Sequence, residues 1–424
     1  MNNITTDSVF GINRDLPLNY VSRKNIDSAL LNNLLRKKHL IIYGSSKQGK
    51  TSLIKKCIEK EEYITIHCSN KWSLEKLHEA ILKKTGYEVT LSENKTTSGK
   101  SKILAKFTAN FFGNKAEGGA EAERSHADSI TISPLELDSS DVNDIIQALN
   151  SINFEKHIVL EDFHYLPVDT QIDFAVALKA FHEQSSLSFI IVGVWLEENR
   201  LSVYNGDLTG RVLPIDADQW KQCELREVIS KGENILNIKF TDEFKNHLID
   251  ACYESVYIVQ ESCNRCCYLN NIFESQEENK IIGDKNQCVE IISYVVSQQS
   301  GRFNSFLTQF ASGFQDAELK MHKWLLYPIL VSNDEKLEIG FTQAEIRNII
   351  STKHPRGSSL NPGNITQALQ SITSLQIKKG IKPIVLDYDQ TNLRLNIVDK
   401  SFLIWLTKQN RRELLELVDL PSEV

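Results

Sequence analysis

The 424 residues carry 41% hydrophobic and 24% charged side chains, an ordinary globular balance that excludes a disordered chain and predicts two to four domains, with three expected. A formal net charge of −7 and an isoelectric point near 5.9 exclude nucleic-acid binding through global electrostatics, leaving only a local basic face. No apolar run approaches a membrane span, none follows a basic start, and the eight cysteines form no disulfide framework, so a cytoplasmic protein with reduced thiols is expected.

In chain order, residues 1 to 37 read as a lead-in that ends in a helix opening near Ser22 or Asn25 and running to Arg36. The apolar run His39 to Tyr43 predicts a strand, and Ser52 to Ile58 a helix. Tyr63 to Cys68 predicts a second strand and Ser73 to Thr85 a second helix, and this alternation implies a parallel sheet. From about 89 to 138 the pattern breaks down into Thr, Ser, Gly, Lys and Ala, so a mobile insertion is expected. Its apolar cluster Ile103 to Phe112 would dock on the body or a partner, or form a packed helix. Order returns with a cap at Ser139-Ser140-Asp141, a helix through Leu149, a strand from His157 to His164, a helix from 170 to 184, and strands Ser188 to Val194 and Val212 to Ile215. Trp220 to about Phe273 reads as helix, and Cys263-x-x-Cys266-Cys267 lacks the second half of a zinc site, so core cysteines are expected there.

The segment between strand and helix, Gly44-Ser45-Ser46-Lys47-Gln48-Gly49-Lys50-Thr51, satisfies G-x-x-x-x-G-K-[ST] in full. The two glycines let the backbone N–H groups turn inward on a phosphate, Lys50 places its ammonium between the β- and γ-phosphates, and the Thr51 hydroxyl, with Ser52 behind it, opens the helix and joins a Mg²⁺ shell. ATP and Mg²⁺ are therefore the expected cofactors. An apolar strand ending in Glu161-Asp162 is where P-loop ATPases hold the Mg²⁺-bound water and orient the attacking water. Lys50, Glu161, Asp162 and Arg211 form the candidate catalytic set.

Phosphate loop, distant acid pair, following strand, later arginine, helical stretch and C-terminal module together resemble an AAA+-type or STAND-type ATPase, similar in layout to the initiator (origin-recognition) and transposition ATPases. The likeness spans roughly residues 14 to 275, and the phosphate loop is its only highly specific part. It implies a three-layer α/β P-loop domain (1–215), a helical lid (216–284) and a nucleotide wedged between them. Arg23 matches the start of the segment that relatives pack on adenine, with Tyr20 and Val21 as base contacts. By position Glu161 holds the Mg²⁺ water and Asp162 activates the nucleophile, although relatives usually place Asp before Glu and the roles could be reversed. Arg211 stands where relatives place an arginine that reaches a neighbour's γ-phosphate, with Arg200 as the weaker substitute; the competing reading is a surface ion pair with Asp207 or Asp216. Gly193-Val194-Trp195 and Ser255-Val256-Tyr257-Ile258 stand where relatives carry polar and arginine sensors, and the nearest arginine is Arg265. Slow turnover and use of the nucleotide as a switch are therefore expected.

Residues 285 to 424 read as a helical and winged-helix-like module, with Thr342 to Ile346 and Asn364 to Ile372 at helix-turn-helix spacing and a hairpin at Pro383 to Ile397. From Phe341 to Val424 there are 11 Lys/Arg and 8 Asp/Glu, a balance of +3 that identifies no phosphate-binding face. The expected function is an ATP-dependent regulatory switch that forms a homo-oligomer or engages an effector protein, by analogy in prokaryotic defence or mobile-element systems. The alternatives are a DNA-binding initiator or loader and a nucleotide-binding scaffold without turnover.

Overall fold

A computed structural model of the chain describes residues 4–12, 15–95, 101–110, 129–314, 318–357 and 360–422. Five strands, β1 (His39–Tyr43), β2 (Tyr63–His67), β6 (His157–Glu161), β7 (Phe189–Val192) and β8 (Val212–Asp216), form one parallel sheet in the order β2-β6-β7-β1-β8. Strands β1, β6 and β7 are apolar on both faces because helices cover both. Ile41, Ile158 and Phe189 pack with the helices Leu74–Lys84, Val142–Ser151 and Val168–Gln184, whereas Leu40, Ile42, Val159 and Ile190 pack with Lys24–Leu34 and Lys50–Cys57. Adjacent residues thus serve opposite layers, as the two-residue period of a strand requires. Strand β1 lies between β7 and β8, at the point where strand order reverses. A crevice opens there beyond the carboxyl ends of the strands.

The expected unpatterned insertion is a second, antiparallel sheet: β3 (Tyr87–Lys95), β4 (Ser101–Asn110) and β5 (Ser129–Leu137), ordered β3-β4-β5. Alternation carries it. Ile103 and Ala105 are buried while the intervening Leu104 is exposed, and Tyr87 packs on Phe107 with ring centroids 5.3 Å apart. The cluster forms a strand, not a helix, because a period of two buries one face of Ile103 to Phe107. Phe111 and Phe112 lie outside the described residues.

The segment that the sequence reads as a lid comprises helices Gln222–Leu236, Asp242–Ala251 and Val256–Leu269, with the parallel pair β9 (Ile238–Phe240) and β10 (Lys280–Ile282). Cys263, Cys266 and Cys267 are buried in its core, which continues without a break into the C-terminal helices. The first helix, Thr6–Phe10, belongs to this core and not to the sheet domain: Val9 and Phe10 are wholly buried against it. In the C-terminal part, β11 (Phe341–Thr342), β12 (Leu386–Asp389) and β13 (Arg394–Ile397) form a small sheet in the order β11-β13-β12. Ser371 separates two helices here, Pro362–Gln370 and Ile372–Lys378.

Gly232, inside a lid helix, faces the Phe10 ring so closely that a Cβ would lie 2.1 Å from its Cζ. Helix propensity alone favours alanine there by about 1 kcal/mol. Overpacking opposes it by about 1–3 kcal/mol and should win, so Gly232→Ala is expected to lower the denaturant midpoint in the wild-type chain and to cost less in a Phe10→Ala background, where the ring it meets is gone.

Candidate nucleotide site

The β1 strand delivers the chain into the phosphate loop at the crevice. Gly44 adopts φ +137°, a conformation that disfavours any side chain, and a Cβ there would sit 3.1 Å from the Asp218 amide. Gly49, at φ +84°, caps the helix Lys50–Cys57. Lys50 is buried, and its ammonium folds back to donate to the carbonyls of Gly44 (2.9 Å) and Ser45 (2.5 Å). Burial pushes its pKa down to about 8, against the pull of nearby Asp218 and Glu161. A desolvated ammonium held only by carbonyl dipoles is a ready counter-charge for phosphate.

Thr51 donates to Glu161 Oε1 at 3.0 Å, so a hydroxyl and a carboxylate oxygen from the loop helix and the end of β6 meet at one point. Two hard oxygens with room for phosphate and water suit Mg²⁺, which takes few protein ligands. Burial holds the Glu161 and Asp162 carboxyls above their usual range, with the Thr51 hydrogen bond opposing it at Glu161. The strand stops at Glu161, because Asp162 turns to φ +60° and starts the short helix Phe163–Tyr165. The two carboxylates therefore leave the backbone in different directions, and Asp162 lies 4.0 Å from His67 Nδ1.

One cavity of about 340 Å³ is lined by Ser46 to Ser52, Glu161, Asp162, Tyr20, Val21 and Arg23. Gly44 and Ser45 lie behind it: Ser45 donates its N–H and hydroxyl to the Asp218 carboxylate at 2.8 and 2.5 Å. Val21 is buried, and Arg23 lies over the Trp220 ring at 4.2 Å while donating to the Ala217 carbonyl. The lid supplies Val228, Val256, Tyr257 and Gln260. Gln260 and Asn19 exchange two amide hydrogen bonds at 2.8 and 3.0 Å, both fully out of water or nearly so. Arg265 lies elsewhere, over the Tyr294 ring.

The two candidate arginines part company. Arg211 precedes β8, at the end of the sheet opposite the loop and a strand length of about 15 Å away. It is partly exposed and pairs with Glu183 at 2.7 Å and with the Asp207 carbonyl; Asp207 itself pairs with Lys179, and Asp216 accepts from Asp218 and Gln219, so neither carboxylate is its partner. Arg200, the expected substitute, is unavailable to a neighbour because it is buried against Asp387, with both carboxylate oxygens 2.8 Å from Nη2. Asp387 is on β12, so this pair ties the sheet domain to the C-terminal module. Thr391 to Glu197 at 2.6 Å and an apolar cluster of Tyr165, Val194, Ile384 and Val398 complete the seam.

The seam reaches the phosphate loop itself. Ser46 N–H donates to the Val398 carbonyl at 3.1 Å. Gln48 bridges to the lid, donating to the Glu254 carbonyl and accepting from the Val256 N–H, while Trp220 Nε1 donates to the Gln48 carbonyl. Sequence reasoning missed Asp218, Trp220, Asn19, Gln260 and Val398; only Asp218, two residues beyond a strand of the same sheet, had a local signal.

No family model and no curated protein matches the sequence. Among solved structures, a Walker-type ATPase of Pyrococcus abyssi superposes over 94% of this chain and 99% of its own, with a TM-score of 0.50 at 12% identity. The chain has the fold of a Walker-type ATPase. The ORC1 protein of Aeropyrum pernix, solved in complex with DNA, matches more loosely over 97% of this chain and 96% of its own (TM-score 0.45, 9% identity). So does CDC6P of Pyrobaculum aerophilum over 98% and 99% (TM-score 0.39, 12% identity). Among the described residues no helix of this Walker-type chain is long and apolar enough to cross a membrane.

Gly44→Ala would force a disfavoured backbone against Asp218. With about 1–3 kcal/mol of strain, ATP affinity measured by calorimetry is expected to fall about ten- to a hundredfold.

Proposed function

We propose that this chain binds Mg·ATP between the parallel sheet and the lid, hydrolyses it slowly, and uses the difference between nucleotide states to hold or release its own C-terminal module. The observation that carries the reading is the Ser46 N–H, a phosphate-loop donor engaged by the Val398 carbonyl. One N–H cannot be fully shared between a carbonyl and a phosphate oxygen. A triphosphate that draws this donor inward therefore favours the released module by whatever affinity difference the two states have. Lys50 supplies counter-charge, Thr51 and Glu161 hold Mg²⁺ directly or through water, and Asp162 orients the attacking water. Mg²⁺ neutralises charge at the β- and γ-phosphates when bound. The freed module would then meet a second copy or an effector protein, with DNA as the alternative partner.

Hydrogen exchange across residues 383–399, followed with ADP and with a non-hydrolysable ATP analogue, tests the reading. Faster exchange with the analogue alone is expected. Asp387→Ala leaves buried Arg200 with Glu197 at 3.3 Å as its remaining carboxylate partner, a loss to the seam of up to about 3–5 kcal/mol, and is expected to raise apparent ATP affinity about tenfold. Unchanged exchange together with unchanged affinity would sink the switch. Lys50→Ala is the control and should lose the thermal stabilisation given by Mg·ATP. Light scattering of the same samples, with and without a DNA duplex, reports which partner the loaded state takes.

Arg211 is too far from its own phosphate loop to act there, so its proposed role is in a neighbouring copy. Arg211→Ala should leave ATP affinity of the isolated chain unchanged and lower turnover, by up to about 10³-fold if it acts as arginines do in related phosphoryl transfer. Mixing it with Lys50→Ala protein should restore part of the rate. Turnover per chain that is constant on dilution, with no rescue, would leave Arg211 as the partner of Glu183 and nothing more.

A further inference from the structure

We infer that His164 is the residue by which this site distinguishes a terminal phosphoryl group, donating to it from ring Nε2. This deepens the nucleotide reading above and rests on it. His164 is 1% exposed and lines the same cavity as Lys50, Glu161 and Asp162. Its Nδ1 accepts the Val194 N–H at 3.2 Å, so Nδ1 bears a lone pair and the ring proton sits on Nε2. Among the described residues that Nε2 has no hydrogen-bond partner. Buried donors are rarely left unpaired without a purpose.

The surroundings favour an anion. The ring is kept neutral by burial and by the positive charges of Lys50, Arg200 and Lys382. Val194 occupies the stretch after β7 where the sequence offers no polar side chain. Here its backbone N–H supplies the anchor instead, fixing the ring that carries the donor. Tyr165, whose ring is tilted 44° to that of His164 with centroids 4.0 Å apart, lies in the seam with the C-terminal module, so the His164 ring touches both the cavity and the part that is proposed to move.

The test compares His164→Asn, which keeps an acceptor near Nδ1 and removes the Nε2 donor, with His164→Gln, which restores an amide N–H near that position. Calorimetry with ADP and with the non-hydrolysable ATP analogue is expected to show the Asn variant losing about tenfold in affinity for the analogue, with ADP unchanged and the Gln variant near wild type. A packing role would move both ligands and both variants alike, and that result overturns the inference. In wild-type protein labelled with ¹⁵N-histidine, the Nε2-bound proton and its nitrogen should shift with the analogue and not with ADP, an outcome independent of how the variants fold. An Nδ1–H tautomer, or an equal response to both nucleotides, overturns it as well. Wild type that binds neither nucleotide would remove the nucleotide reading first and this inference with it.

Discussion

The phosphate loop turns several backbone N–H groups into one small space, and those donors must find acceptors whether or not a phosphate is present. Here three separate parts of the chain provide them or brace them. Asp218 takes Ser45, Val398 takes Ser46, and the lid backbone at Glu254 and Val256 engages Gln48. Lys50 donates to carbonyls of the loop itself. The arrangement of sheet domain, lid and C-terminal module is therefore set through a loop of eight residues, and whatever alters that loop is felt by all three.

The two arginines illustrate what burial decides and motif order cannot. In sequence, Arg200 and Arg211 are near neighbours after the same strand. In the fold one is almost wholly buried and fixed by a bidentate carboxylate, and the other is on the surface with a partner it can give up cheaply. A buried ion pair is a poor source of net stability but a strict judge of geometry. It fixes one orientation of the seam.

Much of the sheet domain was legible because its signals are local. The glycines, the apolar run before them and the helix after them fix the loop within about twenty residues, and the acid pair ends an apolar strand that announces itself. The antiparallel sheet was hidden for a different reason. Its period-two alternation at Ile103, Ala105 and Phe107 is diluted by Thr, Ser and Lys, so composition outweighed pattern. The contacts that complete the site were out of reach altogether: Asp218 with Ser45, Asn19 with Gln260, and Arg200 with Asp387 are 173, 241 and 187 residues apart. Polar pairs of that separation leave no periodic trace, and nothing in the wing-like hairpin's sequence marks Asp387 and Asp389 as buried.

The opening residues have a seat that is made late. Thr6 N–H and hydroxyl donate to the carbonyls of Phe273 and Ile272, Ser275 N–H returns to the Ile4 carbonyl, and Phe10 fills the space left by Gly232. During synthesis the sheet can close as soon as β8 emerges, while this first helix must wait for some sixty further residues before its apolar face is covered. Domains form in the order they leave the ribosome, and uncovered apolar segments are what chaperones bind in the interval. The helix Thr6–Phe10 is thus among the last parts of this core to be covered, and the order of synthesis sets when the cavity first has both its walls.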